Sequence, residues 1–289
     1  MSYSRPLLDA MGIKVEERFV AIEGITFHYV MAGSGPRVLL LHGSTVGWGQ
    51  WYRTMAILAE KYQVIALDLP GVGRSSVIDF ATVSSEQIVN YVASFITALE
   101  FGPCIVIGHS FGAWIALRLA LKKAIISRLI LISPLGFADS FPWQQKLLRY
   151  KLFVRFLTTV VFRSSIEHTR RFLEDPLENT AVSDQTFIRY VHEYWQERPG
   201  SHALWFMHEL IRRGEPIQFS STELKSVSVP CLVLSGEKDL LVDFKILPER
   251  LSHLQKGEWQ LYSNAGHLLF WDDAKRFHND IVNFLGGTL

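Results

Sequence analysis

The sequence has few cysteines and no long apolar run. Its 289 residues contain two cysteines, Cys104 and Cys231, each in or at the start of a β-like apolar run. A disulfide between two strands is one possibility, but we expect two free buried thiols, as in a reducing compartment. No stretch approaches the roughly 20 uncharged apolar residues of a membrane span. The sequence therefore predicts a protein without an integral membrane segment.

The sequence also lacks an excess of charge of one sign. It has 29 Lys and Arg against 28 Asp and Glu, so no net field favours nucleic acid or an acidic partner. Residues 1–10 have no basic segment followed by an apolar core, so no signal peptide is expected. Metal-ligand spacings such as H-E-x-x-H or C-x-x-C are absent, and neither a metal nor another cofactor is predicted. We expect a cytoplasmic monomer or homodimer.

What the sequence does contain is an alternation of apolar runs and amphipathic segments. Its length suits one α/β domain with an insertion. Residues 14–22 and 25–30 predict two antiparallel strands joined by a tight turn. The later apolar runs alternate with helical segments, which predicts a mostly parallel sheet covered on both faces. These six runs begin at Arg37, Tyr62, Cys104, Arg128, Val229 and Trp259.

The alternation stops between residues 134 and 226, which have helical periodicity but no convincing strand. We interpret residues 134–226 as a helical cap, and residues 1–133 with 227–289 as the core domain. Within the cap, residues 143–162 are apolar on nearly all sides, with four basic residues among them. A helix pair packed on the core is the favoured interpretation, and a helix lying on a lipid surface is the alternative.

A Gly-His-Ser-Phe-Gly turn at residues 108–112 joins a predicted strand to a helix of small residues. Such a turn exposes the Ser110 hydroxyl at the helix N-terminus, and its two glycines allow the close approach that a sharp bend requires. A serine hydroxyl is a weak nucleophile until a base takes its proton and a carboxylate orients that base. Asp239 and His267 follow the last two predicted strands, in the order that this motif requires. All three are expected at the carboxyl edge of the sheet, where active sites lie in such folds.

Together these motifs resemble the α/β-hydrolase superfamily, in its capped esterase, lactonase and C–C hydrolase group. The matching segments, in the expected order, are residues 42–43, 68–75, 108–112, 236–239 and 266–267. The resemblance implies an eight-stranded doubly wound sheet with a helical cap after the sixth strand. It also implies that the backbone N–H groups of Phe111 and Ser44 bind the oxyanion. His42, His109, Asp68 and Arg74 are then expected to support the surrounding loops.

Each catalytic assignment has competitors. Asp243 competes with Asp239, although a carboxylate near a helix start often only caps. Asp139 is a third option, because some similar proteins place the acid after the sixth strand. Eight aromatic residues are candidates to line an acyl pocket, and core packing is favoured for most of them. They are Trp51, Trp114, Phe141, Trp143, Trp195, Trp205, Phe206 and Trp271.

The resulting prediction is a cofactor-independent serine hydrolase that cleaves a carboxylic ester, lactone or thioester with an apolar portion. Ser110 is the predicted nucleophile, His267 the base and Asp239 the acid. Hydrolysis of a carbon–carbon bond in a β-diketone-like compound is the first alternative. A non-catalytic ligand-binding or accessory protein is the second. Serine rather than aspartate at the nucleophile position argues against haloalkane dehalogenases and epoxide hydrolases, which form an alkyl-enzyme ester.

Overall fold

Eight strands form one mixed sheet in the computed structural model, which describes residues 3–44, 46–122, 126–137, 146–161, 163–174, 184–198 and 203–287. The strands are β1 (Val15–Ile22), β2 (Ile25–Ala32), β3 (Arg37–Leu41), β4 (Gln63–Leu67), β5 (Cys104–His109), β6 (Ile126–Ile132), β7 (Cys231–Gly236) and β8 (Gly257–Tyr262). Their spatial order is β1-β2-β4-β3-β5-β6-β7-β8. β2 pairs antiparallel with β1 and β4, and every other pair is parallel. The predicted mostly parallel eight-stranded sheet is confirmed.

The central strands are apolar because both of their faces are covered. Every residue of β5 and β7 is buried, and so are four of the five residues of β3. Strands buried on two faces show continuous apolar runs instead of alternation, and this made them recognisable in the sequence. Cys104 and Cys231 begin two of these strands as free buried thiols, as predicted.

Helices cover the sheet and fill the segment between β6 and β7. They are α1 (Arg5–Ala10), α2 (Tyr52–Leu58), α3 (Ser85–Ala98), α4 (Phe111–Leu121), α5 (Lys151–Phe156), α6 (Ile166–Glu174), α7 (Gln185–Glu197), α8 (Ala203–Arg213), α9 (Ser221–Ser226), α10 (Leu247–Leu251), α11 (Leu269–Asp272) and α12 (Ala274–Phe284). Short 3₁₀ turns lie at Trp48–Trp51, Leu147–Arg149 and Phe244–Ile246, and Leu157–Val161 is π-helical. Among the described residues, no helix is long and apolar enough to cross a membrane.

Two helices differ from the expectation. No helix is predicted from the sequence at α1, whose Leu7 is buried. The sequence of residues 244–254 predicts a single helix, but a 3₁₀ turn precedes the shorter α10. Pro248 lies in the first turn of α10, where its missing N–H costs nothing, and this favours a new helix at that point.

Helix α7 is bonded to two loops at the carboxyl edge of the sheet. The Tyr190 hydroxyl accepts a hydrogen bond from Gly49 N–H, and the Tyr194 hydroxyl accepts one from Gly73 N–H, both at 3.2 Å. In the part of residues 134–226 that the structure describes, helices and turns occur but no strand. The division into a core domain and a cap stays a prediction.

Candidate active site

Ser110 lies in a strained turn between β5 and α4. Its φ of 52° and ψ of −112° are unusual for a residue with a side chain. A Cβ on Gly108 would lie 2.4 Å from the Gly112 carbonyl oxygen, and a Cβ on Gly112 would lie 2.2 Å from the Leu41 carbonyl oxygen. Both glycines are therefore required for the strand, the turn and the helix to pack this closely. Ser110 N–H donates to the Ile132 carbonyl at 2.9 Å, which attaches the turn to the end of β6.

Asp239 and His267 are hydrogen-bonded to each other at the same edge of the sheet. His267 Nδ1–H donates to Asp239 Oδ2 at 2.8 Å, and the Asp239 side chain is fully buried. Asp239 Oδ1 accepts from Leu241 N–H at 2.8 Å and from Val242 N–H at 3.0 Å, so this carboxylate is fixed by three donors. Because Nδ1 donates, Nε2 is the nitrogen of neutral His267 that can accept a proton.

Ser110 follows β5 and His267 follows β8 at the same edge of the sheet, but the two side chains are not directly bonded. No hydrogen bond between Ser110 Oγ and His267 is found among the described residues. Such contacts are often long before substrate binds and tighten in the complex. The arrangement is therefore compatible with proton transfer once a substrate is present.

His109 connects the Ser110 turn to His267. Its Nε2–H donates to the His267 carbonyl oxygen at 3.0 Å, and the two imidazole rings are 4.7 Å apart. Burial and the neighbouring His267 hold the pKa of His109 well below its usual value. A neutral His109 places no positive charge beside the imidazole ring of His267.

The loop after β3 is held by two side-chain hydrogen bonds. Gln50 Oε1 accepts from Gly43 N–H at 3.2 Å, and His42 Nε2 accepts from Leu69 N–H at 3.0 Å. Ser44, which is half-buried, directly follows His42 and Gly43. Phe111 is the first residue of α4, where N–H groups lack an acceptor within the helix. The predicted oxyanion donors thus belong to two segments that the Gly112 contact brings together.

Asp68 fixes both this loop and the Gly-rich turn that follows β4. Its carboxylate accepts from Trp48 N–H at 2.8 Å and Arg74 N–H at 2.9 Å, and it pairs with His28 Nδ1 at 2.6 Å. Burial opposes ionisation of Asp68, but the interactions with His28, with His42 and with the Arg74 N–H together outweigh it and lower the Asp68 pKa. Glu17 lies 3.0 Å from the other nitrogen of His28. Asp68 is therefore placed to stabilise the loop that carries Ser44.

Comparison with known proteins accounts for most of this architecture. Residues 38–280 match the sequence model of the alpha/beta hydrolase family. The chain belongs to this family.

The proteins that this hydrolase is similar to are named for different substrates. The chain is 26% identical to 2-hydroxy-6-oxo-6-(2'-aminophenyl)hexa-2,4-dienoic acid hydrolase of Metapseudomonas resinovorans, over 93% of this chain and 90% of that protein. It is 26% identical to epoxide hydrolase 3 of Xenopus tropicalis, over 91% and 75% of the two chains. The structure of carboxylesterase CesB from Bacillus subtilis superposes with a TM-score of 0.79 at 20% identity, covering 99% and 96% of the two chains. This likeness shows the fold alone.

The structure places the competing carboxylates of this hydrolase differently. Asp243 is exposed and accepts from Lys245 N–H at 3.0 Å, so it caps the Phe244–Ile246 turn. Asp139 lies outside the described residues. Asp239, and not Asp243, is therefore the carboxylate that is hydrogen-bonded to His267 at the carboxyl edge of the sheet.

Aromatic side chains surround the segment that follows Ser110. The Phe206 ring of α8 lies 5.0 Å from the Phe111 ring, and Phe80 lies 5.8 Å from Phe206. Of the eight aromatic candidates, Trp51, Trp114, Trp195, Phe206 and Trp271 are buried. Trp205 is partly buried, and Phe141 and Trp143 lie outside the described residues. Phe206 and Trp114, whose ring stacks on Phe111 at 5.9 Å, are thus the candidates that pack against a predicted oxyanion residue.

Several residues that hold the site were not identified from the sequence. Tyr190 and Tyr194 are four residues apart on α7 and therefore share a helix face, which is the only local signal they carry. Gln50 and His28 have no comparable signal, since their partners are distant in the chain.

Asp272 is a half-buried carboxyl group bonded to Gly266, the residue before His267. Its Oδ2 accepts from Gly266 N–H at 2.8 Å, whereas the buried Oδ1 has no hydrogen-bond partner among the described residues. Burial raises the pKa of Asp272 to about 6. The folded protein therefore binds a proton at Asp272 more tightly than the unfolded chain does, because the unfolded pKa is about 3.9.

We expect Asp272→Asn to stabilise the protein above about pH 6 and to have little effect below about pH 4. The stability of the native protein falls as the pH rises between these values, because the folded state must release a tightly held proton. Asparagine has no proton to release, so the variant keeps its stability as the pH rises. Allowing for partial solvent screening, we expect its free energy of unfolding above about pH 6 to exceed that of the native protein by about 1 kcal/mol. Urea unfolding at several pH values measures it.

Asp273→Asn is the matched control for this prediction. Asp273 is exposed and accepts from Arg276 N–H at 3.3 Å at the start of α12. We expect a small, pH-independent loss of stability, because an asparagine still caps a helix. An unchanged pH dependence in Asp272→Asn would contradict the prediction.

Proposed function

We propose that this hydrolase cleaves a carboxylic ester, lactone or thioester with an apolar portion, through an acyl-enzyme on Ser110. The observation that carries the proposal is the 2.8 Å hydrogen bond between His267 and buried Asp239. It lies at the sheet edge where the strained turn presents Ser110. A nucleophile, a base and an orienting acid are the groups that acyl transfer requires.

In the first half of the reaction, Ser110 Oγ attacks the substrate carbonyl carbon while its proton moves to His267 Nε2. Asp239 stabilises the resulting imidazolium through Nδ1–H. The oxyanion binds the N–H groups of Phe111 and Ser44, at the positive end of α4. Collapse of the intermediate breaks the bond to the alcohol, which leaves with the proton from Nε2.

In the second half, water hydrolyses the acyl-enzyme. His267 Nε2 takes a proton from water as its oxygen attacks the acyl carbon. The tetrahedral intermediate then releases the carboxylic acid, and Nε2 returns the proton to Ser110 Oγ. The proton balance therefore closes within the chain, and no cofactor is needed.

The apolar surroundings support an apolar part of the substrate. The Phe206 ring packs on Phe111, and the Phe80 ring packs on Phe206. Apolar surface of this kind favours an apolar acyl or alcohol group. The cytoplasmic location and the monomeric or homodimeric state stay predictions from the sequence.

Hydrolysis of a carbon–carbon bond in a β-diketone-like compound is the second candidate. It is favoured by the similarity over nearly the whole chain to a hydrolase named for an oxo-dienoic acid. The similarity to an epoxide hydrolase carries less weight. A mechanism through an alkyl-enzyme ester needs a carboxylate nucleophile, and this chain has the Ser110 hydroxyl at that position.

A substrate panel combined with active-site labelling tests the proposal. We expect turnover of p-nitrophenyl esters that increases with acyl length, and covalent labelling of Ser110 by a fluorophosphonate. Activity on vinylogous diketones with little on esters would establish the second candidate instead. Labelling without turnover of any ester, lactone, thioester or diketone would favour the non-catalytic alternative, and absence of labelling would contradict the serine mechanism.

A further inference from the structure

Apolar side chains are exposed in unusual number in one segment of the chain. Nine large apolar side chains are exposed among the described residues, and six of them lie between residues 147 and 166. We call these six the 147–166 patch: Leu147, Tyr150, Leu152, Phe156, Val160 and Ile166. Single exposed apolar residues are normal, whereas a cluster indicates an interaction surface.

The central part of the 147–166 patch is one side of a helix. Leu152, Phe156 and Val160 follow one another at intervals of four and are 79%, 52% and 51% exposed. Val154 and Thr158, also four apart, are buried. Residues at this spacing share a helical face, so the segment has one side packed on the protein and one apolar side open to solvent.

The patch is also strongly basic. Residues 146–166 contain five basic residues and no Asp or Glu, in a chain whose net charge is +1. The basic residues are Lys146, Arg149, Lys151, Arg155 and Arg163, and all five are exposed. Among the described ion pairs, none includes any of these five. Their charge is therefore available to an anionic partner.

The patch and the candidate active site are separated by one helix. Helix α8 contacts both the Leu147–Arg149 turn and α5. His208 of α8 donates through Nδ1–H to the Leu148 carbonyl at 2.7 Å. Phe206 of the same helix packs on Phe111. A surface bound at the patch would thus lie next to the helix whose Phe206 packs on Phe111.

We propose that the 147–166 patch binds the surface of an anionic phospholipid bilayer. The exposed apolar side chains enter the boundary between headgroups and acyl chains, and the lysine and arginine heads pair with lipid phosphates. In this arrangement the apolar and the basic side chains of the patch both contact the bilayer. A second copy of the chain is a poorer occupant, because a two-fold contact would bring two sets of five cations together.

Vesicle co-sedimentation of the full chain carrying Ser110→Ala tests the inference without hydrolysis of the lipid. We expect binding to vesicles of phosphatidylglycerol mixed with phosphatidylcholine, little binding to pure phosphatidylcholine, and release by high salt. Leu152→Asn with Phe156→Asn, and separately Lys151→Glu with Arg155→Glu, should each weaken binding at least about tenfold. Absence of binding to the anionic vesicles would overturn the proposal.

Matched substitutions elsewhere distinguish the patch from general surface effects. Val77→Asn removes an exposed apolar side chain outside the patch, and Lys256→Glu with Lys275→Glu makes the same change of charge on other exposed residues. Both should bind as the parent does, and equal losses in these controls would contradict the patch. A dimer that the patch substitutions dissociate, without vesicle binding, would make it an interface between copies instead.

The fold of each variant is checked by thermal unfolding. The same substitutions in the protein that retains Ser110 are also checked by turnover of a soluble ester. The binding result does not depend on whether ester hydrolysis is the correct function. Loss of vesicle binding in a patch variant with a native unfolding temperature supports the inference. Retained binding in both patch variants would refute it.

Discussion

Ser110→Ala reduces turnover by about 10⁶-fold while the unfolding free energy stays nearly the same, because the loss is chemical and the turn is retained. Alanine keeps a Cβ, so the strained conformation at φ 52° is unchanged. The remaining groups can still bind the substrate and its oxyanion. We therefore expect kcat to fall and KM to change little. Single-turnover kinetics and thermal unfolding measure the two effects.

Ser133→Ala is the matched control for this substitution. Ser133 also has a positive φ, at 43°, and it directly follows the neighbouring strand β6. Its buried Oγ has no hydrogen-bond partner among the described residues. We expect activity close to that of the parent. Equal losses in the two variants, or substantial turnover by Ser110→Ala, would contradict the assignment of Ser110 as the nucleophile.

Ser110→Gly separates strain from chemistry. Glycine adopts positive φ without penalty, so this variant should be as inactive as Ser110→Ala but more stable by about 1 kcal/mol. A stability below that of Ser110→Ala would show that the turn is not strained. Together the three serine variants test whether activity depends on the Ser110 hydroxyl and whether the difference in unfolding free energy depends on the backbone conformation at residue 110.

Asp239→Asn reduces kcat by about 10⁴-fold, the second largest effect we expect. An asparagine can still accept from Leu241 and Val242 N–H through its oxygen. Its amide nitrogen would then face His267 Nδ1 and donate to it, which forces the proton onto Nε2. His267 could no longer accept the Ser110 proton, and the negative charge that stabilises the imidazolium would be lost. We expect kcat from steady-state kinetics and the rate of fluorophosphonate labelling to fall together.

Asp243→Asn provides the control, because Asp243 caps a 3₁₀ turn only four residues away. We expect its activity to stay within about twofold of the parent, since asparagine caps nearly as well as aspartate. Asp139→Asn tests the remaining alternative and should also retain activity. A loss in either of these variants that matched the loss in Asp239→Asn would reassign the acid.

Much of the fold was predictable because its strands carry local signals. Buried parallel strands appear as short apolar runs that end in glycine or polar residues, so the predicted strand bounds lie within about two residues of those observed. The Gly108 and Gly112 positions were predictable for a similar reason. Their close contacts with backbone atoms exclude any side chain, and this requirement is visible in the sequence.

Other features were not predictable, because they depend on contacts distant in the chain. Nothing local places β4 between β2 and β3. The bond from Tyr190 to Gly49 N–H joins residues 141 apart in the sequence, and the bond from Tyr194 to Gly73 N–H joins residues 121 apart. Pairings of this kind depend on the packed arrangement of α7 over the sheet.

By itself, the sequence determined the strands, the sharp turn at Ser110 and the family, since each depends on neighbouring residues. Only the tertiary structure decided that Asp239 bonds His267 while Asp243 caps a turn. It also decided which side of residues 151–161 faces solvent. Periodicity divides a helix into faces, but burial of one face depends on what packs against it. That packing leaves Leu152, Phe156 and Val160 exposed beside a row of basic residues.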